Sequence, residues 1–246
     1  MMYEPHPSFK DLPDETRIWR YMDFAKFFSM MDRQSLFFAR PSSFLDPWEG
    51  YSPKNNYTED FFRDAPKEHR KKYIEWALQT KEFVRKHLAV NCWHVNNHES
   101  EAFWRNYSGR GVAIQSTVGR LKESFHAVTD YNIYIGEIEY KDANTDYVKD
   151  GNAYNSILWK RKSFEYEREV RAVICEMEDI KGSGLKPFTS ISGQNITVDL
   201  AMLIENVYTN PFEKEDSFNE LVKDLIKKCG LSFNVCKSDL MDSPNI

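Results

Sequence analysis

Hydrophobic and polar residues recur along this chain with two periods, and the segments of each type alternate. Two-residue alternation and short apolar runs predict strands, whereas apolar residues three or four apart predict helices. Strands are predicted at 18–22, 36–39, 89–93, 111–115, 132–140, 170–175, 203–209 and 231–236. Helices are predicted at 24–31, 54–88, 98–107, 153–162 and 217–229. The pattern indicates an α+β fold, a mixed and largely antiparallel sheet with flanking helices.

Capping residues strengthen two of the predicted helices. Asp23 stands where it would cap the first helix, and Ser217 with Glu220 forms a capping box for the last, which Gly230 ends. These residues set the predicted start of the first helix and the predicted start and end of the last helix.

The predicted elements form one domain with additions. Residues 1–17 are polar and proline-rich and form an N-terminal arm, and 18–238 form a single α+β domain. Within it, the charged segment 54–88 is predicted to be a helical insertion over the core. Residues 179–195 are expected to form a mobile loop, and 239–246 a flexible tail.

Composition narrows the class of protein. The 246 residues carry a net charge of −5, so no global positive field draws the protein to nucleic acid or anionic lipid, although a local basic patch would still allow nucleic-acid binding. Four scattered cysteines argue against a zinc ribbon or a secreted disulfide scaffold. No signal peptide or membrane-spanning run is present, so we expect a soluble cytoplasmic protein without a membrane partner.

The stretch 160–175 carries the strongest chemical signal. It places three carboxylates and five cations against an apolar strand. If Glu167, Glu169 and Arg171 lie on an extended segment, they point to the same side. Two carboxylates that close raise at least one carboxyl pKa, while neighbouring cations lower it. This arrangement suits a catalytic or ligand-binding edge and equally a structural ion network.

Other candidate residues carry both a functional and a structural interpretation. Arg20 lies in an aromatic strand, where it needs an anion, either a ligand phosphate or an internal carboxylate such as Asp46 or Glu49. Ser116 and Thr117 end a strand and either cap the next helix or contact a ligand.

Two further motifs have a simpler structural explanation. In Cys92-Trp93-His94 the spacing to His98 matches no standard zinc pattern, and Asp46-Pro47-Trp48-Glu49-Gly50 is typical of a turn that could rim a pocket. The basic run Lys67–Lys72 is most simply the solvated face of a helix.

Taken together, the motifs resemble a bacterial family known as domain-of-unknown-function family 2971. The resemblance runs from about Ile18 to Thr209. It rests on these motifs: Trp19-Arg20-Tyr21; Leu36–Pro41 leading into Phe44-x-Asp46-Pro47-Trp48-Glu49; Cys92-Trp93-His94; Trp104-x-x-Tyr107; Gly111–Ile114; and Glu167-x-Glu169-x-Arg171. One departure is Leu45, where the family often has Asn. The resemblance implies no particular function.

The order of Arg20, Ser116-Thr117 and Glu167-x-Glu169 is also similar to that in the ADP-ribosyltransferase superfamily. This resemblance implies an ADP-ribosyltransferase-like fold in which Arg20 holds the NAD phosphates or ribose and Ser116 supports the binding strand. Glu169 would stabilise an oxocarbenium-like transition state, and Glu167 would position the acceptor. The residues that would complete the NAD site are Tyr21, Tyr140 and Phe164, with Tyr134 as a further stacking candidate.

The expected function is therefore that of an NAD-using ADP-ribosyltransferase-like enzyme of a bacterial toxin or phage-defence type. NAD would be its substrate, a nucleotide-like small molecule, with an undefined acceptor macromolecule and no metal. Two alternatives remain: a non-catalytic interaction module with a structural ion network, and a Mg²⁺-dependent nuclease using Asp46, Glu49, Glu167 and Glu169. Further pocket candidates are Arg40, Asp46, Glu49, His94, Trp104, Tyr107, Lys162 and Arg171.

Overall fold

The computed structural model of the chain describes residues 5–125, 131–149, 152–176, 187–213 and 216–243. The strands are β1 (Arg17–Asp23), β2 (Ser35–Ala39), β3 (Leu88–Val95), β4 (Gly111–Thr117), β5 (Tyr134–Glu137), β6 (Glu139–Lys141), β7 (Trp159–Arg161), β8 (Glu169–Cys175), β9 (Gly193–Thr197), β10 (Asn206–Thr209) and β11 (Asn234–Lys237). The helices are α1 (Phe24–Arg33), α2 (Lys67–His87), α3 (Glu101–Phe103), α4 (Val118–Ser124), α5 (Leu200–Leu203) and α6 (Asp216–Lys228). Short 3₁₀ turns occupy Pro41–Ser43, Lys54–Tyr57, Ala153–Ile157 and Lys162–Glu167, and a π turn, Trp104–Ser108, continues α3.

Most of the strands join one sheet, and its pairing confirms the predicted α+β class. The strand order is β11-β10-β4-β1-β3-β2-β9, and β8 pairs with both β3 and β5. All of these pairs are antiparallel except β10 with β11. Strands β6 and β7 form a separate parallel pair. The sheet is therefore mixed and largely antiparallel, as the pattern predicts.

Strand β3 is the centre of this sheet because three strands pair with it. β8 follows one edge of β3 along almost its whole length. On the other edge, β1 pairs with the C-terminal end and β2 with the N-terminal end, so the two diverge between those points. The Arg20 guanidinium lies in this gap, where Nη1 donates a hydrogen bond of 2.6 Å to the Cys92 carbonyl.

One face of the sheet carries the main apolar core. Alternate residues of β1, β3, β4 and β8 point into it, and α1, α4, α5 and α6 cover it. Asp23 caps α1 as predicted, because its Oδ1 accepts a hydrogen bond of 2.8 Å from the Lys26 amide. Among the described residues, this face is closed by hydrophobic packing and carries no charged cluster.

The opposite face is divided into two smaller apolar clusters. One surrounds Phe9, Tyr134 and Tyr154, so part of the predicted N-terminal arm packs against the sheet. The other contains Trp19 and Trp104. Between these two clusters, β3 and β8 carry charged and polar side chains at positions that are usually apolar on a buried sheet face.

Some predicted elements are wrong. The helix predicted at 153–162 is a 3₁₀ turn followed by β7, since strand pairing with β6 overrides the local helical spacing. Residues 193–197 form β9 and not a loop, because they pair with β2. Of the rest of that predicted loop, 179–186 lies outside the described residues, and 187–192 forms turns and irregular backbone before β9.

Three predicted boundaries also move. The helical part of 54–88 begins only at Lys67, directly after Pro66, and α6 begins at Asp216, which puts Ser217 inside its first turn. The strand predicted from Leu203 begins at Asn206, because Asp199 caps the short helix α5 before it. The first of these shifts follows from a proline and the last from a capping side chain, each of which competes with the apolar pattern.

Candidate functional site: a buried charge cluster

Arg171 stands at the centre of a buried group of charged residues on the second face of the sheet. The charge cluster, as we call it, consists of Glu49, Lys160, Glu167, Glu169 and Arg171. Arg171 is fully buried and uses all five guanidinium N–H donors. Its Nε and Nη2 bond both Glu169 oxygens at 2.7 and 3.1 Å, and Nη1 and Nη2 bond both Glu49 oxygens at 2.9 and 2.8 Å. The fifth donor meets the Ile157 carbonyl at 2.7 Å.

Lys160 joins the three carboxylates of the charge cluster. Its Nζ bonds Glu167 Oε2, lies 3.1 Å from Glu169 Oε2 and lies 3.5 Å from Glu49 Oε1. None of these side chains is more than 10% exposed. The five groups therefore satisfy one another in a setting where an unpaired charge would be costly.

Strand pairing brings the charge cluster together. Arg171 lies opposite Cys92, and Glu169 lies opposite His94, across the β3–β8 ladder. Glu167 was predicted to lie on the same strand, which is wrong: Arg168 adopts a left-handed conformation with φ of 40°, so β8 starts only at Glu169. Glu167 still reaches the cluster, because the 3₁₀ turn before Arg168 directs it toward Lys160.

Glu49 comes from the predicted Asp-Pro-Trp-Glu turn, far from β8 in sequence. Asp46 Oδ1 accepts a hydrogen bond from the Trp48 amide at 3.0 Å, which is the expected side-chain turn. Asp46 also pairs with Arg161 at 2.8 Å. The turn is thus held to the β7 segment, and Glu49 points inward to Arg171.

The two carboxylates of the Glu-x-Glu motif have opposite electrostatic settings. Burial alone would raise the pKa of Glu169, but Arg171 and Lys160 bring it well below its usual range. Burial raises the pKa of Glu167, and Lys160 only partly opposes this while the Glu169 charge adds to it. Of these two carboxylates, Glu167 is therefore the one that more readily takes up a proton.

Glu167 lies below a rim of aromatic side chains. The Tyr107 hydroxyl donates a hydrogen bond of 2.8 Å to Glu167 Oε1, and Tyr107 is 41% exposed. Phe103 contacts the rings of Tyr107 and Tyr166, and Tyr166 is also exposed. Of the carboxylates in the charge cluster, Glu167 is the one hydrogen-bonded to a side chain that reaches the surface.

His94 stacks on Phe103 with ring centroids 4.0 Å apart. Its Nδ1 lies 2.6 Å from the Glu167 carbonyl, which only accepts, so Nδ1 carries the proton. Nε2 is buried and has no hydrogen-bond partner within the described residues. Burial lowers the pKa of His94, so the imidazole is neutral and Nε2 carries no proton.

Cys92 and Tyr140 complete the surroundings of Glu169. Burial and the Glu169 charge raise the pKa of the Cys92 thiol well above its usual value. The Tyr140 hydroxyl accepts a hydrogen bond of 2.8 Å from the Glu169 amide, and burial raises the pKa of that hydroxyl. The Cys92 thiol and the Tyr140 hydroxyl, which both bond to Glu169, hold that residue in place.

The sheet separates the residues assigned by the ADP-ribosyltransferase resemblance. Arg20 and Ser116 alternate with residues of the second face and share the core face with Ile18. Ser116 is fully buried and donates a hydrogen bond of 2.5 Å to the Leu203 carbonyl. The structure therefore brings Glu167 and Glu169 together and places Ser116 on the opposite face. The Arg20 guanidinium lies in the gap beside β3, where burial lowers its pKa and the nearby Glu169 charge partly opposes this.

Two aromatic candidates, Tyr21 and Trp104, have partners of their own. The Tyr21 hydroxyl accepts from the Ser100 amide at 2.8 Å, and the Trp104 indole donates to Glu99 at 2.8 Å. Both side chains are buried within the cluster around Trp19. Tyr21 and Trp104 therefore pack inside the protein, beneath the exposed ring of Tyr107.

Three remaining candidates lie outside the charge cluster. Arg40 pairs with Glu176 at 3.2 Å, and His87 contacts the same carboxylate at 2.8 Å, which makes a second, separate ion pair group. Phe164 packs beside the Lys160 ammonium, with 5.2 Å between the ring centroid and Nζ. Lys162 is exposed at the start of its 3₁₀ turn.

Sequence reasoning missed Lys160 as a site residue, although it was counted among the cations of the charged stretch. The spacing between Lys160 and Glu167 was the available signal. It was missed because a helix was predicted at 153–162, whereas Lys160 lies on a strand. Glu176 was missed because it directly follows β8, where the charged motif had ended.

The described residues contain no group of three or more His, Cys, Asp or Glu side chains placed to hold a metal ion. Two grooves, of about 390 and 360 Å³, lie on either side of the segment around Lys149, and no member of the charge cluster lines either of them. Across the described segments, every helix is too short or too polar to cross a bilayer.

Residues 103–172 match the model of a family described as "Protein of unknown function (DUF2971)". The match confirms the family resemblance over a shorter range than the motifs had indicated. It includes Lys160, Glu167, Glu169 and Arg171, but not Glu49. Neither the curated proteins nor the solved structures contain a significant match.

Proposed function

We propose that this protein is a non-catalytic interaction module, in which the charge cluster fixes the fold and α2 meets a partner. The observation that carries the proposal is the mutual pairing of the charge cluster. Arg171 has no free donor, and both oxygens of Glu49 and Glu169 are bonded to it. A carboxylate committed in this way would have to break a buried ion pair before it could act on a substrate.

The second support is that α2 is poorly covered. It is 21 residues long, yet only Val84 is buried. A helix of this length obtains little stability from propensity alone and normally gains it by packing an apolar face. The exposed length of α2 is therefore the part of the described structure best suited to a partner.

One observation favours the NAD-using enzyme as a second candidate. The opposite pKa directions of Glu167 and Glu169 are those of a carboxyl pair that divides acid–base and charge-stabilising roles. In that function, Glu169 stays ionised opposite a developing oxocarbenium ion, and Glu167 positions the acceptor. A bacterial toxin or phage-defence role, with NAD as the nucleotide-like substrate, belongs to this candidate.

Nicotinamide release from NAD distinguishes the two candidates. Wild type and Glu167→Gln are compared, with and without cell lysate as a source of acceptor, and melting temperatures are recorded in parallel. The interaction module predicts no release and no change of melting temperature with NAD. Release that disappears in Glu167→Gln, while that variant remains folded, would overturn it in favour of the enzyme.

A further inference from the structure

Helix α2 displays aromatic side chains to solvent. Tyr73 is 38% exposed and Trp76 53% exposed. Residues three apart lie on the same side of a helix, so these two rings are neighbours on one surface. The two rings form one exposed aromatic pair, and they lie on the least buried helix of the described structure.

The same helix is basic within an acidic protein. It contains seven Lys or Arg residues and three Glu, whereas the whole chain has a net charge of −5. Within the described residues, no Lys or Arg of α2 forms an ion pair with a carboxylate. Arg70 and Arg85 bond backbone carbonyls, and Lys81 lies over the ring of Tyr51. The positive charge of α2 is therefore available to an anionic partner.

A groove of about 360 Å³ runs beside α2. Trp76, Phe83 and Phe61 provide rings along it, Gln79 and Asn155 provide amides, and Lys149 provides a cation. The volume lies in the range of small-ligand sites. Rings for stacking, amides for base edges and nearby cations for phosphates are the combination with which proteins hold unpaired bases.

We infer that α2 and this groove bind single-stranded nucleic acid, with a base stacked on Trp76 and phosphates against Lys149 in the groove and Lys72, one helical turn before Trp76. This inference rests on the proposed function, because it names the class of partner that the module meets. Single strands fit better than a duplex, since stacking on Trp76 requires a base free of its own helix. An acidic protein would use the cations but has no need of the rings and amides.

Fluorescence anisotropy with labelled dT12 and rU12 tests the inference, and the two oligonucleotides distinguish DNA from RNA. Trp76→Ala is expected to weaken binding roughly tenfold or more, while Trp76→Phe retains most of it. Phe28→Ala, at an exposed ring on α1, is the matched control and is expected to bind like wild type. Melting temperatures confirm that each variant is folded.

Salt dependence tests the role of the lysines. The pair Lys72→Gln and Lys149→Gln should lower the slope of log affinity against log salt by about 0.7 per lost phosphate contact. The pair Lys227→Gln and Lys228→Gln on α6 should leave it unchanged.

The inference is overturned by any of three results. These are the absence of binding to both oligonucleotides, equal loss in the control variants, or equal affinity for a duplex or for polyglutamate. Nicotinamide release by the same preparations reports separately on the proposed function.

Discussion

Arg171 and Glu49 lie 122 residues apart in sequence and form a two-bond ion pair at the centre of the fold, with nitrogen–oxygen distances of 2.9 and 2.8 Å. The pair ties the turn after β2 to the strand β8. Because both side chains are buried, each depends on the other to offset the cost of leaving water.

Removing Glu49 should therefore destabilise the protein strongly. Glu49→Ala leaves Arg171 with two unmet donors in a buried setting, and we expect a loss of about 3–5 kcal/mol in the free energy of unfolding. Urea denaturation followed by circular dichroism measures it. Glu59→Ala, at an exposed glutamate, should stay within about 0.5 kcal/mol of wild type. A loss below about 1 kcal/mol for Glu49→Ala would show that the pair contributes little.

Glu167 should give the protein a distinctive pH dependence. Its pKa is raised in the folded state, so the folded protein binds this proton more tightly than the unfolded chain does. The resulting stability is complete below the unfolded value, about 4.3, and is lost as pH rises through the raised folded value. Glu167→Gln should remove this decline. Unfolding free energies measured across that pH range test this, and parallel curves for both proteins would refute it.

Tyr107 should control the proton affinity of Glu167. Its hydroxyl donates to the carboxylate and so favours the ionised form. Tyr107→Phe is expected to raise the pKa of Glu167 further, as measured by carbon NMR of the side-chain carboxyl. Tyr147→Phe, at an exposed tyrosine elsewhere, is the control. An unchanged titration in Tyr107→Phe would mean that the hydrogen bond does not persist in solution.

Cys92 should be chemically inert in the folded protein. Burial and the adjacent Glu169 raise the pKa of its thiol, and the thiolate is the reactive form. Iodoacetamide at pH 8 should therefore modify Cys92 far more slowly in the native protein than in guanidinium, as read by peptide mass spectrometry. Similar rates in both states would contradict the buried setting.

The sequence predicted much of the fold because most strands have clear local signals. The Asp23 cap, the aromatic run of β1 and the alternation around Ile133 each depend on neighbouring residues alone. The strands β7 and β9 were mispredicted, since their conformations depend on pairing with other strands.

The site was predicted in part for the same reason. Glu167, Glu169 and Arg171 were recognised because they are close in sequence. That the Arg20 guanidinium bonds the Cys92 carbonyl follows from the way β1 and β2 pair with opposite ends of β3, which no local pattern reveals. The role of Lys160 as the link between three carboxylates likewise depends on tertiary packing.

The charge cluster also limits what the family match can represent. The matched range, 103–172, contains the first four residues of β8 but neither β3, its neighbour along one edge, nor Glu49, the partner of Arg171. As an isolated fragment it would leave one edge of β8 unpaired and Arg171 without its two bonds to Glu49, so we expect it to fold only together with β3 and the turn that carries Glu49.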